Sequence, residues 1–198
     1  MAASGTKEEG ESGWSGNRAP EIVSAAARLF RERGYAGTTV RDIAKAVKVT
    51  SGSLFHHFGT KEEILRCVVD EGIRQGIDLI KSERSLQYDP RSRLSAMIHA
   101  HLSGLLAGSP ESQSVMFYDW WSLSDLSRKG IVKKRDSYEA LWDEAISDLE
   151  GKASNRNQRR VKRLLLFGAM NRTTQWYRSS GSADFDVVTK TLMDAFFK

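Results

Sequence analysis

The sequence predicts an all-α protein. Apolar residues recur three and four positions apart along most of the 198 residues, which is the spacing of one face of a helix. The breaks between these stretches hold capping side chains, prolines and glycines, and no stretch alternates apolar and polar residues as a half-buried strand does. We expect a disordered tail at residues 1–16, a small helical domain at 17–66 and a larger helical domain at 67–198.

The small domain begins with a helix from Pro20 to about Gly34, because proline suits a first helical position and glycine a helix end. A second, short helix follows Thr39, whose hydroxyl can cap it. Its apolar residues lie on one stripe: Val40, Ile43, Ala44 and Val47. The tail before this domain mixes glycine and serine with charged residues and lacks the apolar stretch of a secretory signal.

A third helix is predicted after Thr50, with Leu54 and Phe58 four positions apart on its inward side. Its outward face carries small or hydrogen-bonding residues, which are Ser51, Gly52, Ser53, His56 and His57. This face holds no acidic side chain to repel phosphate, so the helix can enter the major groove of DNA. The two short helices and the turn between them are typical of a helix-turn-helix.

A fourth helix is predicted from Lys61, because Thr60 and Glu63 have the spacing of a capping box in which Glu63 reaches back to the Thr60 amide. Its apolar stripe continues to about Lys81, far enough to join a second core. This helix is the expected link between the domains.

In the larger domain, Asp89 with Pro90 and Ser109 with Pro110 each pair a capping side chain with a proline at the first helical position. Helices are therefore expected to begin at both places, the first ending at Gly108. Further helices are predicted near residues 110–122, 124–150, 156–178 and 184–197.

Positive charge is concentrated in the small domain. The chain carries a net charge of +5, and residues 17–61 hold eight basic residues against three acidic ones. The excess of positive charge therefore lies on the segment whose pattern indicates DNA binding.

Other classes of protein are disfavoured. The chain shows no nucleophile elbow, phosphate-binding glycine loop or zinc-protease signature, so we expect neither an enzyme nor a cofactor. The pairs His56/His57 and His99/His101 diverge by about 100° and 200° around a helix, so neither can chelate one metal ion. A single cysteine and the lack of any apolar run near ~18 residues predict a cytoplasmic protein with no membrane contact.

The helix-turn-helix segment resembles the TetR family of bacterial transcriptional repressors. Three blocks match in order and spacing, at residues 38–44 (TTVRDIA), 52–58 (GSLFHHF) and 61–65 (KEEIL). The resemblance covers roughly residues 17–66 specifically, and the rest only as a helical domain. It implies a dimer that holds double-stranded operator DNA until a small molecule binds the carboxy-terminal domain.

The predicted DNA-binding set is Thr38, Thr39, Thr50, Ser51, Gly52, Ser53, Phe55, His56, His57 and Lys61. Phe55, where the family more often has tyrosine, is a candidate to contact a thymine methyl. His57, Thr39 and Lys61 resemble the family's clamps on the phosphate backbone. The alternative for any one of them is a capping or surface role in the fold alone.

A small hydrophobic effector is expected in the larger domain, where large apolar side chains mix with polar tips. The predicted pocket residues are Met97, His101, Met116, Trp120, Trp121, Tyr138, Trp142, Phe167, Asn171 and Trp176. The alternative for each is an ordinary place in a helical core.

Residues 171–177 (NRTTQWY) are similar to a segment of those TetR-type regulators that respond to acyl-coenzyme A thioesters. Basic residues that open the same helix could meet the coenzyme's phosphates, or could simply form a solvated face. These residues are Arg156, Arg159, Arg160, Lys162 and Arg163.

The last two helices are, by analogy with the family, the interface of a homodimer that meets a palindromic operator. The predicted interface residues are Leu164, Leu165, Gly168, Arg172, Val188, Leu192 and Phe196. Their stripes could also pack within one chain, which helical spacing does not distinguish. A further alternative is a DNA-binding protein that needs no ligand at all.

Overall fold

In a computed structural model, residues 18–86, 89–106, 120–151 and 154–197 are described, with no strand among them. Eight α-helices are present in these ranges, which confirms the predicted all-α class. They are α1 (Ala19–Arg33), α2 (Val40–Ala46), α3 (Ser51–His57), α4 (Lys61–Leu86), α5 (Pro90–Leu106), α6 (Asp125–Glu150), α7 (Arg156–Trp176) and α8 (Phe185–Phe196), with a 3-10 turn at Trp120–Ser122. No helix in the described ranges has the length and apolar content required to span a bilayer.

The small domain packs α1, α2 and α3 around a buried apolar centre that includes Phe30, Ile43 and Leu54. The predicted threonine caps are confirmed. The Thr39 hydroxyl accepts from the Asp42 amide at 3.1 Å, and the Asp42 carboxylate accepts in return from the Thr39 amide at 2.9 Å. Thr50 caps α3 by accepting from the Ser53 amide at 3.1 Å.

The turn between α2 and α3 is tight because Lys48 adopts a left-handed conformation, with φ of 56°. The Arg18 guanidinium donates to the Val47 carbonyl at 2.9 Å and so fastens the start of α1 to this turn. The turn is therefore held by a contact with the start of α1 as well as by the shared core.

Helix α4 has 26 residues, about 39 Å at 1.5 Å per residue, and is longer than expected. It packs against α1, α5 and α6. The predicted domain boundary at residues 66 and 67 falls inside this unbroken helix. The Glu63 carboxylate accepts from the Gly59 amide at 2.9 Å, so the predicted bond to the Thr60 amide is wrong by one residue.

The larger domain is built around α5, which contacts α4, α6, α7 and α8. Asp89 caps α5 by accepting from the Ser92 amide at 2.9 Å, and the helix begins at Pro90 as predicted. Asn155 and Asp184 cap α7 and α8 in the same way. The predicted tail, the helix start at Pro110 and Met116 lie outside the described residues.

Candidate functional sites: a nucleic-acid interface and a cavity in the larger domain

Helix α3 turns its predicted contact face to solvent. Leu54 and Phe58 are buried, whereas Gly52, His56 and His57 are exposed and Phe55 keeps 48% of its surface accessible. Burying the inward pair thus leaves the outward residues facing solvent. Their contacts with DNA stay a prediction.

Gly52 is not required by the protein's own packing. A Cβ atom built there would meet only the Thr50 hydroxyl, at 3.8 Å, which is an ordinary contact. Glycine inside a helix costs roughly 0.5–1 kcal/mol relative to alanine. A partner that must approach the backbone closely would explain why this cost is tolerated.

The prediction that the Thr38 side chain contacts DNA is wrong. Thr38 is fully buried, and its hydroxyl donates to the carbonyls of Leu29, at 3.2 Å, and Gly34, at 3.0 Å. The side chain secures the end of α1 and does not reach the surface. The exposed neighbour, Thr39, remains in the set.

Lys61 lies partly buried at the start of α4. Its ammonium group donates to the Tyr35 carbonyl at 2.6 Å and stands 4.0 Å from the centre of the Tyr35 ring. An ammonium has three donors, so two remain for a phosphate. Lys61 therefore has a role in the fold, and its predicted role on DNA stays a prediction.

The larger domain contains a cavity of about 190 Å³. Four predicted residues line it: Trp120, Trp121, Tyr138 and Phe167. Sequence analysis missed three others, Ile73, Arg135 and Glu139. Ile73 lies on the predicted apolar stripe of α4, and Arg135 is three positions before Tyr138, so both could have been inferred. Glu139 is adjacent to Tyr138 in sequence, and helical spacing does not indicate it.

A buried hydrogen-bond chain ties three helices together beside this cavity. His101 of α5 contacts the Tyr138 hydroxyl through Nδ1 at 2.8 Å and the Asn171 Oδ1 atom through Nε2 at 3.1 Å. Burial lowers the pKa of His101 to about 4, so the ring is neutral near pH 7. As Asn171 Oδ1 can only accept, the proton lies on Nε2, and Nδ1 accepts from Tyr138.

The remaining predicted pocket residues are placed elsewhere. Met97 and Trp142 are fully buried and do not line the cavity, which favours the core alternative for both. Trp142 packs edge-on against Phe167 with ring centres 5.2 Å apart, behind the cavity wall. Trp176 is 52% exposed and does not line this cavity, so its role as a pocket residue stays a prediction.

The basic residues that open α7 are largely engaged. Lys162 pairs with Glu150, and Arg163 is buried between Glu139 and Asp143. The Arg159 guanidinium donates to the Ser154 carbonyl at 2.6 Å. Three of the five cations proposed for phosphates thus already have partners within the chain.

An apolar stripe on α7 faces outward. Leu164 and Leu165 are 51% and 60% exposed, Arg172 is exposed, and a Cβ atom at Gly168 would meet no atom of the described residues within 4 Å. An open groove of about 740 Å³ on this side is lined in part by Leu165 and Phe196. These features suit a partner surface.

On α8, Val188 is buried in its own chain, so its prediction as an interface residue is corrected. The neighbouring Val187 is 49% exposed instead, and Leu192 and Phe196 are half-buried.

Within the described ranges no group of three His, Cys, Asp or Glu side chains could hold a metal ion.

Two family profiles match the chain. The profile described as bacterial regulatory proteins, tetR family, matches residues 22–68. The profile described as tetracyclin repressor-like, C-terminal domain, matches residues 87–198. Together they span both domains.

Among curated relatives, the HTH-type transcriptional repressor KstR2 of Rhodococcus jostii (strain RHA1) is 32% identical over 90% of this chain and 88% of its own length. A solved TetR-family transcriptional regulator from Bordetella parapertussis 12822 is 26% identical, with a TM-score of 0.80 over 93% of this chain and 96% of that one. AibR, solved with isovaleryl coenzyme A and operator DNA, is 22% identical, with a TM-score of 0.81 over 91% and 98% of the two chains.

Proposed function

Because the chain belongs to the TetR family of bacterial regulatory proteins, we propose that it acts in the cytoplasm as a homodimeric repressor released from DNA by a small hydrophobic effector. It is a DNA-binding transcriptional regulator and not an enzyme. The observation that carries the proposal is the outward face of α3, where exposed small, aromatic and imidazole side chains stand on a helix anchored by Leu54.

Binding to DNA is tested by selection of duplexes from a random library, followed by footprinting on the selected sequence. We expect a palindromic footprint with half-sites separated by one helical turn or more, because a two-fold dimer presents two copies of α3. Enrichment of a single, non-repeated site would contradict the dimeric arrangement. Failure to enrich any sequence would contradict the proposed function itself.

The effector is proposed to enter the cavity beside Tyr138. Its walls are aromatic and its polar groups are few, which is the usual composition of a small-molecule site. Its volume of about 190 Å³ lies below the roughly 300–1,000 Å³ of most small-molecule sites, so the proposed occupant is a short or branched chain or a single ring.

An acyl-coenzyme A thioester is the finer proposal for the effector. It is supported by residues 171–177, and AibR shows that the same fold can hold isovaleryl coenzyme A together with operator DNA. The engaged cations of α7 weigh against Arg159, Lys162 and Arg163 as phosphate contacts, which leaves the exposed Arg156 and Arg160 as the candidates on that helix. Arg135 at the cavity pairs with Glu139 at 3.5 Å and lies over the Trp120 ring.

This finer proposal is tested by titrating the protein–DNA complex with acyl-coenzyme A thioesters of increasing chain length, with free coenzyme A and the free acids as controls. We expect release by short and branched thioesters at lower concentration than by the controls. If no thioester of any chain length releases the protein from DNA, thioesters are excluded as effectors, but the proposed repressor function is not affected.

A repressor that needs no ligand is the second candidate. Thermal melting across a small-molecule panel distinguishes this candidate from the ligand-responsive repressor. A compound that binds the folded state raises Tm, whereas the Tm of a protein without a ligand site stays unchanged.

A further inference from the structure

Glu62 joins the two domains by direct hydrogen bonds. It is the second residue of α4, at the DNA-binding end, yet its Oε1 atom accepts from the Ser124 amide at 2.9 Å and from the Ser127 hydroxyl at 2.6 Å. These hydrogen bonds from Ser124 and Ser127 hold the pKa of Glu62 at about 2, so the carboxylate is charged near pH 7. Ser124 is also the cap of α6.

Helices α4 and α6 approach each other at two further points, and both follow Glu62 and Ser124 in chain order. Asp70 of α4 pairs with Lys134 of α6 at 2.7 Å. Further along, a Cβ atom at Gly76 would stand 3.2 Å from the Tyr138 ring. The helices thus run side by side in the same direction, with Glu62 at the DNA-binding end and Tyr138 at the cavity.

The beginning of α6 is also close to the cavity along the chain. Trp120 and Trp121 line the cavity, and Ser124 follows three residues after Trp121. A 3-10 turn and the buried Leu123 connect the two tryptophans to the cap of α6. On α4, Glu62 lies between two residues that contact the small domain. Lys61 contacts Tyr35, and Glu63 contacts Gly59.

We propose that Glu62 is a positioning residue that couples the tryptophan wall of the cavity to the DNA-reading helix α3, through its bonds to Ser124 and Ser127. This inference rests on the proposed function, because it concerns how the cavity and the DNA surface communicate. Without these bonds the two domains stay folded and joined by α4, but occupation of one site is no longer felt at the other.

Coupling between two sites is reciprocal, so the inference can be tested with DNA alone, before any effector is known. The probe is a duplex selected from a random library, and the readout is acrylamide quenching of Trp121, which is 78% exposed. Trp14 and Trp176 are replaced by phenylalanine in every variant to remove their signals. Trp120 and Trp142 are buried and contribute little quenching.

In the parent protein, we expect DNA to change the quenching constant of Trp121. In Glu62→Ala this change should fall below about a third of the parent value, while the Kd for the duplex shifts by less than about fivefold, the lower end of typical coupling effects. Ser127→Ala should reduce the change as well, and Ser127→Thr, which keeps the hydroxyl, should preserve it. Circular dichroism checks that each variant is folded.

Asp78→Asn is the matched control. It removes a carboxylate from the same helix, α4, but that carboxylate pairs with Arg74 of α4 and not with another helix. Its quenching response should equal that of the parent protein. Binding of DNA with no change in the parent's quenching, or with an undiminished change in Glu62→Ala, would overturn the inference. If no duplex is bound at all, the proposed function fails instead, so the two failures are distinguishable.

Discussion

The ring of Tyr138 lies so close to Gly76 that a methyl group on Gly76 would stand 3.2 Å from the Tyr138 Cε2 atom. Tyr138 cannot easily retreat, because its hydroxyl is bonded to the buried His101. Glycine at this position therefore sets the closest approach of α4 and α6 beside the cavity.

Gly76→Ala should lower the free energy of unfolding by about 1 kcal/mol, because crowding against a fixed ring costs more than a helical alanine gains. Urea unfolding measures it. Gly130→Ala on α6 is the control, since no atom of the described residues lies within 4 Å of the new methyl group, and it should be stabilising. A stabilised Gly76→Ala would show that Tyr138 is free to move.

Gly52→Ala should produce opposite effects on stability and on DNA binding. We expect a gain of roughly 0.5–1 kcal/mol in unfolding free energy, because alanine is the better helix former and the site is open. The affinity for operator DNA should fall by tenfold or more, about 1.4 kcal/mol, if the backbone of α3 approaches the bases. Unchanged affinity would place Gly52 outside the interface.

Lys61→Ala should weaken binding to all duplex sequences alike and reduce the slope of log K against log salt by about one. Loss of the bond to Tyr35 should lower Tm as well. Lys45→Ala, an exposed charge on α2, is the comparison and should alter the slope less. A loss restricted to one sequence would contradict the predicted phosphate contact.

Protonation of His101 should make the protein less stable in mild acid. Burial lowers its pKa from 6.5 to about 4, so between these values the unfolded chain binds a proton that the folded chain does not. Stability is therefore complete above pH 6.5 and is lost as pH falls towards 4, by up to about 3 kcal/mol.

Urea unfolding between pH 7.5 and 5 measures this effect, and His101→Gln should show a flatter profile over that range. The charged Glu62 contributes stability in a lower pH range. This contribution is complete above pH 4.5 and is lost as pH falls towards the pKa of Glu62, about 2. Parallel profiles for the parent protein and His101→Gln would exclude His101 as the titrating group.

Replacing Leu164 and Leu165 together by aspartate should convert the dimer to a folded monomer, because both side chains are more than half exposed in the single chain. Sedimentation velocity gives the mass, and circular dichroism the helical content. Leu126→Asp is the control, since it changes an 81% exposed leucine on α6. A dimer that persists in the double variant would place the interface elsewhere.

The parts of the fold that depend on local chemistry could be predicted from the sequence. Thr39, Thr50 and Asp89 cap helices because a side chain bonds an amide two or three residues away, and that spacing is visible in any sequence. The apolar face of α3 follows from the same short-range periodicity.

Contacts between distant segments could not be predicted in this way. Glu62 and Ser124 are 62 positions apart, and nothing near either residue indicates the other. Thr38 and Thr39 are adjacent threonines of which one is buried and one exposed, a difference set by how α1 packs on its neighbours. Trp142 and Trp120 likewise differ in role only because α6 presents one to the core and the other precedes it at the cavity.

Helix α4 supplies buried residues along its length to one continuous apolar core, Ile64 and Leu65 near its start and Ile73 and Ile80 further along. Cutting the chain at residue 66 would strip a covering surface from each side, so neither half is an independent folding unit. The protein should melt in one cooperative transition. Damage anywhere in the larger domain should then reduce the population of folded, DNA-binding molecules, even when α3 itself is intact.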